Sequence, residues 1–447
     1  MTRFVFFFLL IHTVLRAQVP SVLPTIICGN EVFEHLVKER YPDLDAAFHQ
    51  TFEQTANVAR QGGVVDRSTM TVNVVVHIVW KNAAENLADS IIKNQIAILN
   101  RDFNRENPDS INTRPLFKSV AGNAGIRFNL AGIVRKQTTK DFAINLLGGS
   151  LVPELKNSAK GGSDPWPVQQ YLNIWVCNLK PSTILGIPLA QILGFAFPPN
   201  GLAHWPANTA APTPIEDGVV VDYRVFGGNN PNPIVVPGGN SNLTVRGRTA
   251  VHELGHYLGL RHIWGDGGLL GANDCKQSDG ADDTPFANAQ SNFDCNKTRN
   301  TCPTVEKFYN ADVPDMTENY MDYSREDCMN MFTKGQVALM RATLAGPRSG
   351  LLQSVNTESA AENLSLQLYP NPVSGYTALT FVLLRTSEIS VRIFDANGRL
   401  VQNSPAENRL AGRQTWILNT ESLSAGIYAV QVQTDSRVAI QKMLVKR

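Results

Sequence analysis

His-Glu-Leu-Gly-His-Tyr-Leu-Gly-Leu-Arg-His, at residues 252–262, is the stretch that decides the fold. On a helix, His252 and His256 are four residues apart and project from one face, so their imidazole nitrogens can hold one Zn²⁺. Gly259 can adopt a positive φ and end the helix, after which the chain brings back His262 as a third ligand. Three protein ligands leave a fourth position for water and substrate, which indicates a catalytic metal site rather than a structural one.

Glu253 follows the first of these ligands directly. Its carboxylate can take the proton of a water that the metal makes acidic, which predicts a general base. The alternative is a helix that carries histidines by chance. The glycine and the third histidine favour the metal site, because each stands where the geometry requires it.

This segment resembles the signature of the metzincin metalloproteases, which also includes a methionine-containing turn. Met321, in Glu318-Asn319-Tyr320-Met321-Asp322-Tyr323-Ser324, matches that turn, and an ordinary core methionine is the alternative. Further stretches narrow the resemblance to the pappalysin family, namely Leu172–Leu179, Asp217–Val221, Cys328, Phe332-Thr333, Gln336 and Met340. The resemblance covers roughly residues 25–345. It implies a zinc metalloendopeptidase of the α+β class, with a mixed sheet over the active-site helix and an irregular lower subdomain.

The resemblance also implies roles for two residues after the methionine. A tyrosine two places further stabilises the transition state in relatives, and Tyr323 matches it, with a packing tyrosine as the alternative. Relatives that cleave before Arg or Lys carry an acidic residue at the floor of the pocket that receives the residue after the scissile bond. Glu326 stands at that place and predicts cleavage before Arg, then Lys. Arg325 beside it could neutralise the pocket, and a solvated loop charge is the alternative.

The composition excludes some partners and predicts several domains. The chain has 40 Lys and Arg against 39 Asp and Glu, so it has no net field that would attract nucleic acid. Its 447 residues are too many for one ordinary domain and predict two or three. The expected partners are protein or peptide substrates.

The N-terminus reads as a secretory signal followed by an activation peptide. Arg3 and an apolar run from Phe4 to Leu15, too short to span a bilayer, predict a signal peptide over residues 1–17. A buried strand or a membrane anchor is the alternative, and no other stretch approaches a transmembrane helix. Residues 18–60 are predicted to be an activation propeptide, because an exposed, glycine-containing cleavage site follows Arg60.

Secretion favours disulfides for the four cysteines of the catalytic region, Cys275, Cys295, Cys302 and Cys328. Four cysteines allow three pairings, among which the sequence alone does not choose. A second zinc site is the alternative, and the lack of a close C-x-x-C pair disfavours it. The resemblance implies the pairs Cys275–Cys302 and Cys295–Cys328. Cys177 is predicted to be a buried thiol.

Cys28 lies far upstream of the catalytic core, in Ile27-Cys28-Gly29-Asn30. A thiolate is a good zinc ligand, and in relatives a propeptide cysteine occupies the open zinc position and keeps the enzyme latent. We therefore expect Cys28 to block the zinc in the precursor. The alternatives are an unpaired cysteine, a disulfide with Cys177, or a blocking carboxylate such as Asp43 or Asp45.

A loop after the third histidine is rich in hard oxygen donors. It contains Asp274, Asp279, Asp282, Asp283 and Thr284, a composition that suits Ca²⁺ although the spacing is not that of an EF-hand. Relatives bind calcium in this loop, so the resemblance implies a structural calcium ion held by Asp279, Asp282, Asp283 and Thr284. A solvated acidic loop is the alternative.

The predicted catalytic domain spans residues 61–345, with strands at 71–80, 126–134, 172–179, 194–197 and 218–223 and a helix over 88–104. Residues 346–363 are predicted to be a linker. Short alternating segments over residues 364–447 then predict a C-terminal β-sandwich, at 364–369, 378–384, 389–395, 414–418, 427–433 and 438–445. Asn397-Gly398 indicates a hairpin turn between two of these strands.

The C-terminal segment resembles the type IX secretion sorting domain of Bacteroidetes, through Tyr369-Pro370-Asn371-Pro372, Ala425-Gly426-Ile427-Tyr428 and Lys442–Arg447. The resemblance implies export through the periplasm by an outer-membrane secretion machinery, to the cell surface or beyond. A carbohydrate- or protein-binding sandwich is the alternative, although only Trp416 offers a candidate binding aromatic. For the whole chain, the alternative is a surface-anchored adhesion protein with a vestigial protease domain, which would tolerate loss of Glu253 or a histidine.

Overall fold

The structure, a computed structural model, is divided into two compact units, Met1–Leu351 and Leu352–Arg447. It describes residues 28–30, 68–144, 152–184, 187–197, 216–235, 242–265, 275–291, 293–352, 366–383, 387–409, 412–434 and 438–446. The predicted signal peptide, the predicted propeptide apart from residues 28–30, and Asp274 lie outside the described residues. Within the described ranges, no helix is both long and apolar enough to cross a membrane.

The first unit combines longer elements before residue 260 with short ones after it. Its strands are β1 Met70–Trp80, β2 Ala121–Gly122, β3 Ile126–Gln137, β4 Phe142–Ala143, β5 Leu172–Cys177, β6 Leu179–Lys180, β7 Ser182–Ile184, β8 Ile187–Ala190, β9 Gly194–Ala196, β10 Val219–Asp222, β11 Val305–Glu306, β12 Ala311–Asp312 and β13 Phe332–Thr333. Its helices are α1 Asp89–Phe103, α2 Pro115–Lys118, α3 Arg248–Tyr257 and α4 Lys334–Ala345. The elements predicted before residue 260 therefore exist, with bounds that differ by a few residues.

A mixed five-stranded sheet forms the frame of this unit, in the order β3-β1-β5-β10-β9. Strand β1 pairs in parallel with β3 and β5, and β10 pairs in parallel with β5. Strand β9 is antiparallel to β10 and forms an edge. Residues 72–79 of β1 are all buried, as expected for a central strand covered on both faces. Helix α1 buries Ile92, Ile96, Leu99 and Phe103, the face that its periodicity predicts.

Helix α3 carries the 252–262 motif and is buried at all ten of its positions. Gly259, with a φ of 94°, follows its end and turns the chain into the irregular lower part. Disulfides Cys275–Cys302 and Cys295–Cys328, with Cα–Cα distances of 5.6 and 5.9 Å, link this part in the pairing that the resemblance implies. The mixed sheet, the buried helix and the lower part give the expected α+β architecture.

The first unit extends past α4 through a buried arginine. Arg348 donates hydrogen bonds to the backbone oxygens of Tyr257 (2.8 Å) and Phe197 (3.3 Å) and forms an ion pair with Asp217. Its guanidinium also stacks on the ring of Tyr257, 3.4 Å from the centroid. The residues after α4 are thereby tied to the end of the motif helix.

From residue 366 onward, all helices and strands that the structure describes in the second unit are strands. They are β14 Gln367–Tyr369, β15 Tyr376–Leu383, β16 Ser387–Phe394, β17 Leu400–Asn403, β18 Glu407–Arg409, β19 Gly412–Asn419, β20 Gly426–Gln433 and β21 Val438–Val445. One sheet has the order β14-β15-β19 and the other β17-β16-β20-β21 with β18 beside β16. Their inner faces share one apolar cluster, as in a β-sandwich.

Two features of this unit differ from the sequence analysis. Strands β17 and β18 were not predicted, since their short sequences show no alternation of apolar and polar residues. Trp416 is half-buried, whereas Tyr369 and Tyr376 are exposed side by side on the outer face of the three-stranded sheet. The expectation that Trp416 is the only candidate surface aromatic is therefore wrong.

His77 is an uncharged core residue of β1. It is fully buried, stacks on Trp175 with ring centroids 5.0 Å apart, and hydrogen-bonds Ser163 Oγ and Asn173 Oδ1, both at 2.9 Å. Burial lowers its pKa from 6.5 to about 4. This histidine is a satisfied structural residue rather than a metal ligand.

We expect His77→Gln to weaken the pH dependence of stability. Because folded His77 binds a proton less readily than the unfolded chain does, its contribution is lost as the pH falls below 6.5 towards 4. The parent should lose about 2 kcal/mol from this group between pH 7.5 and 5, while glutamine does not titrate. Denaturant unfolding of the first unit in both proteins should show their stability difference shrinking by that amount. A difference independent of pH would contradict the assignment.

Candidate active site

Three imidazole nitrogens converge on one point at the C-terminal half of helix α3. The Nε2 atom of His252 lies 3.1 Å from that of His256 and 3.2 Å from that of His262, and the remaining pair is 3.1 Å apart. A tetrahedral zinc ion with bonds of 2.0–2.1 Å would hold three nitrogens about 3.3–3.4 Å apart. All three rings are buried, so the donor set fits Zn²⁺ in type and in spacing.

Backbone carbonyls set the orientation of two rings. The Nδ1 of His252 lies 2.7 Å from the Tyr320 oxygen, and that of His256 lies 2.9 Å from the Leu260 oxygen. A carbonyl can only accept, so each Nδ1 carries the hydrogen and each Nε2 turns a lone pair to the shared point. His262 is stacked on Trp264, with ring centroids 4.3 Å apart and planes within 5°.

Glu253 is fully buried beside this cluster. Burial raises the pKa of its carboxyl well above the usual range, while a hydrogen bond from Cys28 acts in the opposite direction. Its Oε1 has no hydrogen-bond partner within the described part of the chain. A Cβ at Gly194 of β9 would lie only 2.8 Å from Glu253 Cγ. Only glycine therefore fits at this position of the edge strand, next to the carboxylate.

Met321 and Tyr323 flank the histidines from the lower part. The Met321 sulfur packs against Gly255, between the two helical histidines. The ring centroid of Tyr323 lies 5.0 Å from that of His262 and 5.6 Å from that of His252. The turn methionine and the tyrosine thus lie where the resemblance implies.

Residues 28–30 lie along β9 and enter the same centre. The Cys28 sulfur lies within 4.8 Å of a nitrogen of each of the three histidines, and donates to Glu253 Oε2 at 3.3 Å. The Cys28 backbone N–H donates to the Tyr323 hydroxyl (3.2 Å), and Gly29 N–H to the Gly194 oxygen (2.7 Å). Asn30 accepts a hydrogen bond from Ala196 N–H at 2.9 Å and gives its own N–H to the Cys28 sulfur at 3.3 Å.

A pocket opens beside His252. Leu193, Val225, Leu243, Thr244, Val245, Arg248, Thr249, Phe293, Asp322, Ser324, Arg325, Glu326 and Met329 also line it. Arg325 forms an ion pair with Asp327 at 3.0 Å, so its charge is partly neutralised by that carboxylate rather than by Glu326.

The predicted calcium ligands are not all in the same environment. Asp279, Asp283 and Thr284 are buried, whereas Asp282 is exposed. Asp279 accepts from Gln336 and Asp283 from the Gly335 N–H, at the start of α4. Burial raises the pKa of Asp279 to about 8. For Asp279 and Asp283, the solvated-loop alternative is wrong.

Two parts of this site escaped the sequence analysis. Arg248, only 2% exposed, pairs with Asp102 and Asp109 from the α1 side of the unit. Asn30 was quoted only as a neighbour of Cys28. No local pattern marks either residue, because Asp102 and Asp109 lie more than 130 residues from Arg248, and Ala196 lies as far from Asn30.

Comparisons with known families match two parts of the chain. The family model described as pregnancy-associated plasma protein-A matches residues 238–345, and the secretion system C-terminal sorting domain matches residues 367–446. The first match contains the histidines, Met321 and Tyr323, and the second contains most of the strand-only unit.

Individual relatives agree with these matches. The extracellular metalloprotease of Verticillium alfalfae is 30% identical over 289 residues, 64% of this chain and 79% of the relative, and that of Pyricularia oryzae is 28% identical over 66% of this chain and 82% of the relative. Mature mirolysin of Tannerella forsythia, solved with a cleaved peptide, is 36% identical over 65% of this chain and 97% of its own, with a TM-score of 0.50. A promirolysin mutant from the same organism is 33% identical over 75% of this chain and 99% of its own, with a TM-score of 0.56.

We expect Gly255→Ala to destabilise this site. Alanine replacing glycine within a helix normally stabilises by about 1 kcal/mol, but a Cβ here would overlap the Met321 sulfur. The variant should unfold at a lower temperature and release zinc faster to a chelator. Combining it with Met321→Ala should restore part of the zinc retention, and a Gly255→Ala protein more stable than the parent would disprove the contact.

Proposed function

Because the chain belongs to the pappalysin family of metalloproteases, we propose that it is a zinc endopeptidase that cleaves proteins before Arg or Lys and is made as a latent precursor. One observation carries the proposal: three Nε2 atoms converge next to the Cys28 sulfur, which also contacts the Glu253 carboxylate and belongs to a residue paired with β9. His252, His256 and His262 would hold the ion. When bound, zinc supplies Lewis acidity, which polarises the substrate carbonyl and makes water more acidic.

The residues of the chain divide the remaining work. Glu253 takes the proton of the attacking water and delivers it to the leaving amine. The Tyr323 hydroxyl donates to the carbonyl oxygen as negative charge develops there. Gly194 O and Ala196 N of β9, which pair with residues 28–30 in this structure, would align the substrate as an added strand once that segment is gone.

Glu253→Ala should abolish peptide hydrolysis while zinc stays bound and the fold stays intact, because the base is removed and the ligands remain. Tyr323→Phe should lower kcat by on the order of 10–10³-fold, as for one lost transition-state donor. A fluorogenic peptide assay with zinc content measured in each sample tests both. Substantial turnover by zinc-loaded Glu253→Ala would exclude the role of Glu253, and an unchanged kcat would exclude Tyr323. Inactivity of the zinc-loaded parent on any protein would favour the adhesion alternative.

Latency is proposed to rest on residues 28–30. Their contacts involve the metal position, the base, the tyrosine hydroxyl and the edge strand, which are the groups that a substrate needs. Cys28 would block the zinc, and Asn30 would hold both the sulfur and β9. We propose that export removes the signal peptide 1–17, and that loss of 18–60 activates the catalytic domain.

Cys28→Ala in the precursor should give an active or faster-maturing enzyme, because the blocking thiolate is gone. Asn30→Ala should weaken latency less, since the sulfur remains. Activity of purified precursors, measured before any cleavage is visible on a gel, checks both variants. Mature enzymes from all three precursors serve as the control, because none retains residues 28–30. A Cys28→Ala precursor as latent as the parent would point to another blocking group, such as Asp43 or Asp45.

Calcium and export complete the proposal. Buried Asp279 and Asp283 concentrate negative charge, and Asp283 Oδ1 and Thr284 Oγ1 have no hydrogen-bond partner within the described ranges, which supports a structural Ca²⁺ ion.

The sorting domain, proposed to begin near residue 364 after a linker from 346, would direct export from the periplasm by the outer-membrane machinery of a Bacteroidetes-like bacterium.

The proposed specificity rests on Glu326 in the pocket beside His252. A carboxylate in a partly desolvated pocket favours a cationic side chain. Arg325, the neighbouring cation, forms an ion pair with Asp327 rather than with Glu326. Glu326→Gln should therefore reduce the preference for Arg and Lys after the scissile bond. Sequencing the products of a peptide library cut by parent and variant measures this. Apolar residues at that position with the parent enzyme would refute the specificity but not the peptidase.

A further inference from the structure

Helix α3 begins without a capping side chain of its own. Its N-cap residue is Gly247, at a φ of 75°, and no acidic residue lies in its first turn. The first N–H groups of a helix have no partner within the helix, and when buried they need one from elsewhere. All of the first residues of α3 are buried, so that partner must come from the protein.

Glu326 supplies it from the lower part of the unit. Its Oε1 accepts hydrogen bonds from the backbone N–H and the hydroxyl of Thr249, both at 2.7 Å. Its Oε2 accepts from the Arg246 N–H, and its backbone oxygen accepts from Arg248 at 2.7 Å. A carboxylate at a helix N-terminus is also favoured by the helix dipole.

The same carboxylate lines the pocket beside His252. We propose that Glu326 is a positioning residue for the active-site helix as well as the charge of the specificity pocket. The pocket role rests on the specificity proposed above, whereas the positioning role does not. His252 and Glu253 follow Thr249 by three and four residues, so a shift of the helix start is transmitted to a metal ligand and to the base.

The length of the side chain separates the two roles. Aspartate at position 326 would withdraw the carboxylate by about 1.5 Å. Contacts of 2.7 Å to Thr249 would then stretch beyond hydrogen-bond range, while a negative charge would remain in the pocket. Glutamine keeps the length but removes the charge and turns an NH₂ group towards donors. A helix cap therefore predicts that both variants impair catalysis, and that only glutamine removes the charge preference.

The experiment uses zinc-loaded mature enzyme and two peptides that differ only in Arg or Met after the scissile bond. The variants are Glu326→Asp, Glu326→Gln and Thr249→Val, which removes one donor to Glu326 without changing the charge. Glu106→Gln is the control, because it removes a carboxylate from an exposed pair with Arg127. The measurements are kcat and KM per zinc-loaded molecule, the Arg-to-Met ratio of kcat/KM, and the rate of zinc release to a chelator without substrate.

Glu326→Asp should lower kcat about 10-fold on both peptides, keep the Arg-to-Met ratio and speed zinc release. Thr249→Val should act in the same direction by a few-fold, and Glu326→Gln should in addition bring the ratio close to one. The positioning role is refuted if Glu326→Asp and Thr249→Val behave like the control Glu106→Gln, with the same kcat on the Met peptide and the same rate of zinc release. A parent enzyme with no preference for Arg would refute only the specificity, since the Met peptide and zinc release still test the helix.

Discussion

The catalytic unit depends on the burial of a helix that is polar at half of its positions. Arg248, Thr249, His252, Glu253 and His256 have almost no contact with solvent, so each must find partners inside the protein. The partners come from separate parts of the chain: Asp102 and Asp109 from the α1 side, the Tyr320 carbonyl from the methionine turn, and Glu326 just beyond it. The hydrogen bonds and ion pairs of this one buried helix therefore hold α1 and the lower part together around the three histidines.

Local pattern explains what could be predicted from the sequence. Helical spacing places residues three or four positions apart on the same side of a helix. This local rule explains the apolar face of α1, formed by Ile92, Ile96, Leu99 and Phe103, and the approach of His252 to His256. The short strands β17 and β18 lack such a repeat, and each is formed by pairing with β16. Likewise, nothing near Arg248 or Glu326 indicates that they meet across 78 residues, since that contact follows from the tertiary fold.

Residues 28–30 are held beside the histidine cluster by several polar contacts. They approach β9 in parallel at Gly194 and use the same backbone groups that an added strand would use. The side-chain Oδ1 of Asn30 takes the place of a backbone acceptor for the Ala196 N–H, and the backbone N–H of Asn30 donates to the Cys28 sulfur. The segment is thus held by hydrogen bonds at several points, so its binding to β9 and the histidine cluster does not depend on one contact.

Arg348 has a consequence for where the catalytic unit can be cut. It lies three residues beyond the end of α4 and of the matched family segment. It nevertheless donates hydrogen bonds to the backbone oxygen of Tyr257, the last residue of the active-site helix, and to that of Phe197, the residue after β9. A chain trimmed at residue 345 would leave the partly buried carboxylate of Asp217 without its counter-charge. The C-terminal boundary of the catalytic unit is therefore set by an ion pair rather than by the last helix, and a chain that keeps this ion pair must extend past Arg348.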